Sequence, residues 1–227
     1  MRGAPIAPLF APALEPSRLL LESVERYYTA KVRRHGATPR GVDWNSLMSQ
    51  RLRFVQLLRV IDWSEALSLH DVGCGYGALL EHLSDRHGDA QIRYIGSDLS
   101  SEMIRRARSR WRKPGQANFM ITPVDMPLVD YSVASGIFNV KLDNCVDAWT
   151  SHVASTLSVM CDASRKGFAV NFMMPEALAA RHAAAAQLYG PDPERWMAYG
   201  RDVLYCDVQL VAGYGLQEYT LLMRHAS

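Results

Sequence analysis

No run of about 18 consecutive apolar residues occurs in this chain of 227, so nothing in it is long enough to cross a bilayer as a helix. Excess charge of one sign is lacking too. The 25 Lys and Arg against 23 Asp and Glu leave a net charge of +2, well short of the basic footprint by which proteins hold nucleic acid or an anionic membrane surface, and neither partner is expected. Cysteine is scarce: Cys74, Cys145, Cys161 and Cys206 form no C-x-x-C pair and stand at no zinc-finger spacing from a histidine. No metal is therefore expected, and a reducing, cytoplasmic setting is. The opening MRGAPIAPLFAPALEP is broken by Pro5, Pro8, Pro12 and Pro16, which interrupt the apolar helix a signal peptide requires, so residues 1–17 read as a flexible Pro/Ala-rich arm.

What is present, 48% apolar and 21% charged residues, suffices for a large α/β core. From 18 to 66 the pattern is helical. Leu19, Leu20, Val24 and Tyr27 or Tyr28 recur at helical spacing, and a second helix carries Leu47, Leu52, Phe54, Val55, Leu57, Leu58 and Ile61. From 67 to 227 short apolar strands alternate with helix-like segments, the texture of a mostly parallel sheet covered by helices. Seven strands are expected, at 68–72, 92–98, 117–122, 131–138, 167–172, 206–211 and 218–223. The last two are joined only by AGYGLQ, too short for a parallel crossover, so the sheet should close with an antiparallel hairpin strand.

The chemistry concentrates in LSLHDVGCGYGALLEHL, where a strand runs into Gly73, Gly75 and Gly77 and then into an apolar-periodic helix. Glycines at such a turn let a ligand lie against the main chain, facing the amides of a helix N-terminus. Asp98, 21 residues beyond Gly77 at the end of the next strand, can accept both hydroxyls of a ribose. Gly73, Gly75 and Ala78 also satisfy the dinucleotide pattern G-x-G-x-x-A, so the loop alone leaves an NAD-type ligand open. Two further acids bear on the choice: Asp71, two residues before the glycines, and Asp125 in ITPVDMPL, where an adenine amino group needs an acceptor.

Taken together, DVGCGYG, YIGSDLSSEMIRRA, the VDMP turn and the terminal hairpin resemble a class I S-adenosylmethionine-dependent methyltransferase over residues 67–227. The resemblance implies a Rossmann-like, seven-stranded, mostly parallel sheet with S-adenosylmethionine as cofactor. It assigns cofactor contacts to Asp71, Gly73, Gly75, Gly77, Asp98 and Asp125, with Leu99 and Met126 flanking the adenine and Cys74 a small residue packed in the loop.

The segment after the fourth strand puts Phe138, Asn139, Val140 and Lys141 at the carboxyl edge of the sheet, beside the transferable methyl. It lacks the Asp/Asn-Pro-Pro-aromatic tetrapeptide of enzymes that methylate exocyclic or amide nitrogens, which favours oxygen on a small, sugar-like or natural-product acceptor. The alternatives are an RNA or protein methyltransferase and a catalytically silent nucleoside-binding module. The helices of 18–66 are expected to form a lid, with Tyr28 and Trp44 closing over the sulfonium or the acceptor by cation-π contact and Gln50 or Arg53 holding the methionine carboxylate. No catalytic base is fixed by spacing. His35, Asn139, Lys141 and His152 are the candidates for catalytic groups.

Overall fold

The computed structural model describes residues 16–112, 117–122, 125–179 and 182–226; the proposed arm falls almost entirely outside them. Two helices, α1 (Pro16–His35) and α2 (Leu47–Leu57), lead into β1 (Leu67–Val72), α3 (Ala78–Arg86), β2 (Ile92–Asp98), α4 (Ser101–Arg110) and β3 (Asn118–Ile121). The chain continues through β4 (Val129–Ala134), α5 (Val146–Ala163), β5 (Ser164–Met173), α6 (Pro175–Ala179), α7 (Pro193–Asp202), β6 (Cys206–Val211) and β7 (Glu218–His225). The strands form one sheet of order β3-β2-β1-β4-β5-β7-β6. β1 to β5 pair in parallel, and β7 inserts antiparallel between β5 and β6.

Strand periodicity sorts the core onto two faces. Leu69, Tyr94, Val133 and Leu222 point to one side and pack with Leu57, Leu79 and Ile104 from α2, α3 and α4. Val72, Phe168, Phe172 and Leu221 point to the other and pack with Val24 of α1, Val153 and Leu157 of α5 and Trp196 of α7. Both faces are covered, which is why the strands read as continuous apolar runs. Ser100 caps α4, its hydroxyl accepting the Met103 N–H at 3.3 Å, and its Oγ lies 2.6 Å from Thr29 Oγ1, which ties α1 to the start of α4.

The fourth strand is shorter than its sequence suggests. It ends at Ala134, and the chain turns at Gly136 with φ of 71°, a left-handed conformation that admits glycine at low cost. A Cβ at Gly136 would stand 2.3 Å from the Trp44 ring, so the turn and the indole fit only because this residue is glycine. Phe138 consequently falls into the core, fully buried and stacked on Phe172 with ring centroids 5.3 Å apart.

α2 is joined to the sheet by a buried polar network. Arg53 donates through Nε to Glu218 Oε2 at 2.7 Å and through Nη2 to Oε1 at 2.5 Å. Asn171 donates to the same carboxylate at 2.6 Å, and its own Oδ1 accepts the Gly136 N–H at 2.7 Å. Trp44 lies over the Arg53 guanidinium at 3.7 Å. Removing one partner of such a pair strands the other in a dry site, so Glu218→Ala should cost about 3–5 kcal/mol in urea unfolding. The double change Arg53→Met/Glu218→Leu should recover part of that loss, and a double variant less stable than Glu218→Ala would contradict the burial argument.

Candidate active site

Where β1, β2 and β4 end, the chain leaves a cavity of about 680 Å³, inside the range of about 300–1,000 Å³ typical of small-molecule sites. Its floor is the glycine loop. The N–H groups of Gly73 and Cys74 both donate to the Ser97 carbonyl, at 2.8 and 2.9 Å, pinning the loop to β2. Gly73 has φ of 75°, and a Cβ there would lie 2.3 Å from Ile137 Cγ2, so the loop admits no side chain at this point. Gly75 and Gly77 also have positive φ, and Gly77 precedes α3, whose Ala78 lines the cavity.

Asp98 joins loop and strand. Its Oδ2 accepts the Gly75 N–H at 2.9 Å and its Oδ1 the Ser100 N–H at 2.8 Å, yet each oxygen keeps a second lone pair while the residue lines the cavity. Burial lifts its carboxyl to about 6 against the pull of those two N–H groups, and nearby Glu25 adds to the rise. Asp71 lies deeper. It accepts the Tyr94 hydroxyl at 2.5 Å, and burial raises it to about 7. Cys74 is buried in the cavity wall, with its thiol raised well above the ordinary range by burial. Leu99 and Met126 are half-buried lining residues, and Asp125 stands exposed at the rim.

The N-terminal helices contribute Leu21, Val24, Glu25 and Tyr28 from α1 and Gln50 and Phe54 from α2, with Trp44 between them. Burial pushes the Tyr28 phenol up, so it stays protonated. Gln50 accepts the Tyr76 hydroxyl at 3.2 Å. Arg53 is a correction: its guanidinium is engaged by Glu218 beneath Trp44, and it does not line the cavity, so it cannot hold a carboxylate there. α5 supplies Trp149, His152, Ser155, Thr156 and Val159. His152 packs edge-on to Phe138 and is held down to about 4 by burial, so it is neutral at pH 7.

Four other sequence candidates lie elsewhere. Phe138 is core and outside the cavity, because β4 ends four residues before it. Asn139 is buried with its Oδ1 accepting the Met173 N–H at 3.1 Å. Lys141 donates to the carbonyls of Leu142 and Asn144, at 3.3 and 3.0 Å, and His35 sits at the last turn of α1; neither reaches the cavity. The arginines of α4 are also occupied. Arg105 and Arg106 pair with Glu102, Arg108 donates to the Phe119 carbonyl and Arg110 pairs with Glu81.

Sequence reasoning did not find Glu25, Tyr94, Gly136, Asn171 or Glu218. The one available signal was Asn171, an amide inside the apolar strand AVNFM, since a polar side chain in a doubly covered strand must find a buried partner.

The model of a methyltransferase domain matches residues 70–167. A relative from Mycobacterium tuberculosis that carries the name of a methyltransferase, Rv1506c, is 36% identical over 170 residues, covering 75% of this chain and 100% of its own. The magnesium protoporphyrin IX methyltransferase of Synechocystis PCC 6803 with bound SAH superposes with a TM-score of 0.62 at 12% identity, covering 92% of this chain and 100% of that one. Human N-acetylserotonin methyltransferase in complex with SAM gives 0.59 at 15%, covering 96% and 61%.

Asp71 supplies a pH test. Its folded value of about 7 lies above the ordinary 3.8, so the stability it contributes is whole below pH 4 and is lost as pH rises through 7. Asp71→Asn should therefore gain on the wild type between about pH 4 and 7, by roughly 1.4 kcal/mol per pH unit at most, and then level off. A difference independent of pH would show that Asp71 is not strained by burial.

Proposed function

The chain belongs to the class I S-adenosylmethionine-dependent methyltransferases, and from that premise we propose that it methylates a hydroxyl oxygen on a small, largely apolar acceptor such as a natural-product or sugar-like alcohol or phenol. The observation that carries this reading is the size and the largely apolar lining of the cavity beside the glycine loop. Leu21, Val24 and Tyr28 of α1 and His152 of α5 contribute to it, together with Ser155 and Val159, which are exposed. A cavity of about 680 Å³ with such a lining suits a small acceptor.

The residues present fit the cofactor. A loop that tolerates no Cβ at Gly73, an acid with free lone pairs at Asp98, a rim acid at Asp125 and apolar flanks at Leu99 and Met126 match a nucleoside joined to an amino acid. In this reading Asp98 accepts the ribose hydroxyls and Asp125 the adenine amino group, while Gln50 faces the methionine end. When bound, S-adenosylmethionine supplies an electrophilic methyl on a sulfonium, so alignment and exclusion of water are left to the protein. Tyr28 and Trp44, both in the cavity lining, would shield the methyl from water and offer electron-rich rings to the positive sulfur. His152, neutral because buried, would accept the hydrogen bond of the acceptor hydroxyl and orient its lone pair, and the proton released would pass to solvent.

Asp98→Ala should weaken S-adenosylhomocysteine binding roughly ten- to a hundredfold by calorimetry, the cost of losing charged hydrogen bonds. Wild-type affinity should hold above about pH 6 and fall below it, as the carboxylate takes up a proton, and Asp98→Asn should flatten that profile. An affinity unchanged in Asp98→Ala would remove Asp98 from the site.

Acceptor class is tested by measuring S-adenosylhomocysteine formation against phenols, sugars, small amines, RNA and protein. Turnover is expected with small hydroxyl compounds, and His152→Phe should lower kcat roughly a hundredfold while cofactor affinity stays within about twofold. Turnover only with a macromolecule would favour an RNA or protein methyltransferase, and cofactor binding without any turnover would favour a silent nucleoside-binding module.

A further inference from the structure

Two cysteines and a histidine distant in sequence meet at the edge of the sheet opposite the cavity. Cys161 lies in the last turn of α5, Cys206 opens β6 and His225 ends β7, where it is the register partner of Cys206. Both cysteines are buried and reduced, with sulfur atoms 3.7 Å apart, and the ligand atoms of all three residues lie within 4.8 Å of one another.

We infer that Cys161, Cys206 and His225 form a binding site for a soft divalent transition metal of the zinc class, with one coordination position left to solvent. Two thiolates bound to one tetrahedral zinc at about 2.3 Å stand roughly 3.8 Å apart, which the present sulfur separation already matches. The hydrogen bonds of His225 decide which ring nitrogen is free to ligate. His225 Nε2 lies 2.7 Å from the Ser164 carbonyl and 3.2 Å from the Cys161 carbonyl, so it must carry the ring hydrogen, and the lone pair is left on Nδ1.

His225 also lines an open cavity of about 500 Å³ with Arg165, Lys166 and Arg224, while Cys161 and Cys206 are covered by the Leu204 carbonyl, 3.9 and 3.6 Å from their sulfurs. Metal binding exchanges two thiol protons for one dication, leaving the cluster neutral, and needs no oxidant. A disulfide would require both an oxidant and closure of the sulfurs to about 2.05 Å. A bound metal would fasten the end of α5 to the open end of the terminal hairpin, far from the carboxyl edge where the cofactor binds.

The test is titration of the full, reduced chain with Co²⁺ and then Zn²⁺, read by thiolate-to-cobalt absorption and by metal content after desalting. One cobalt per chain with thiolate absorption, displaced by one zinc, is expected. Cys161→Ser and Cys206→Ser should abolish the absorption, His225→Gln should weaken zinc binding roughly ten- to a hundredfold, and Cys145→Ser, at an exposed cysteine outside the cluster, should change nothing. Unaltered S-adenosylhomocysteine affinity in each variant certifies the fold. No thiolate absorption with all thiols reduced, absorption that survives Cys206→Ser, or a Cys161–Cys206 disulfide forming with no metal bound would each overturn the site.

Discussion

The buried ion pair between Arg53 and Glu218 is the constraint on which the cavity depends. It joins residues 165 positions apart, one on a helix preceding the sheet and one at the start of its last strand. Two charges are expensive to desolvate, and a bidentate fork with further hydrogen bonds is what compensates them. Here the compensation comes from Asn171, which turns its amide to Glu218 and its carbonyl to the Gly136 N–H. The ion pair thereby fixes α2, the end of β5 and the turn after β4 relative to one another. Trp44 lies between the Arg53 guanidinium and the bare Cα of Gly136, so the aromatic wall of the cavity is held from both sides.

Electrostatics at the other wall follow the opposite logic. Asp71 is buried and Asp98 half-buried, each with hydrogen bonds but with no cationic partner among the described residues, and both carboxyls sit well above their ordinary values. The free protein keeps two anions, or the protons that neutralise them, beside a cavity suited to a ligand with ribose hydroxyls and a sulfonium. Stability is given up where binding gains it, as expected of groups held ready for a ligand. The one arginine read from sequence as a cofactor contact is instead spent on architecture.

Much of the fold was legible because its signals are local. Strand runs such as IRYIGSD, the three glycines before ALLEHL and the short AGYGLQ connection each reflect one element and its neighbours in the chain, and β2 and β6 begin and end where their patterns do. Legibility failed where tertiary partners decide. The apolar run from Tyr131 to Phe138 reads as one strand, but the glycine turn that seats Trp44 cuts it at Ala134 and sends Phe138 into the core. Arg53 looked free because its partner lies at the far end of the sequence. Cys161, Cys206 and His225 stand at no recognisable spacing, and only the antiparallel return of β7 brings them together.

The most direct test of this account is a crystal structure of the chain with S-adenosylhomocysteine. The account predicts the ribose hydroxyls on Asp98, the thioether sulfur beside Gly73, and Tyr28 and Trp44 against the ligand with the Arg53 to Glu218 pair intact. A ligand bound outside the glycine loop, or bound there with Trp44 swung away and the ion pair broken, would contradict it.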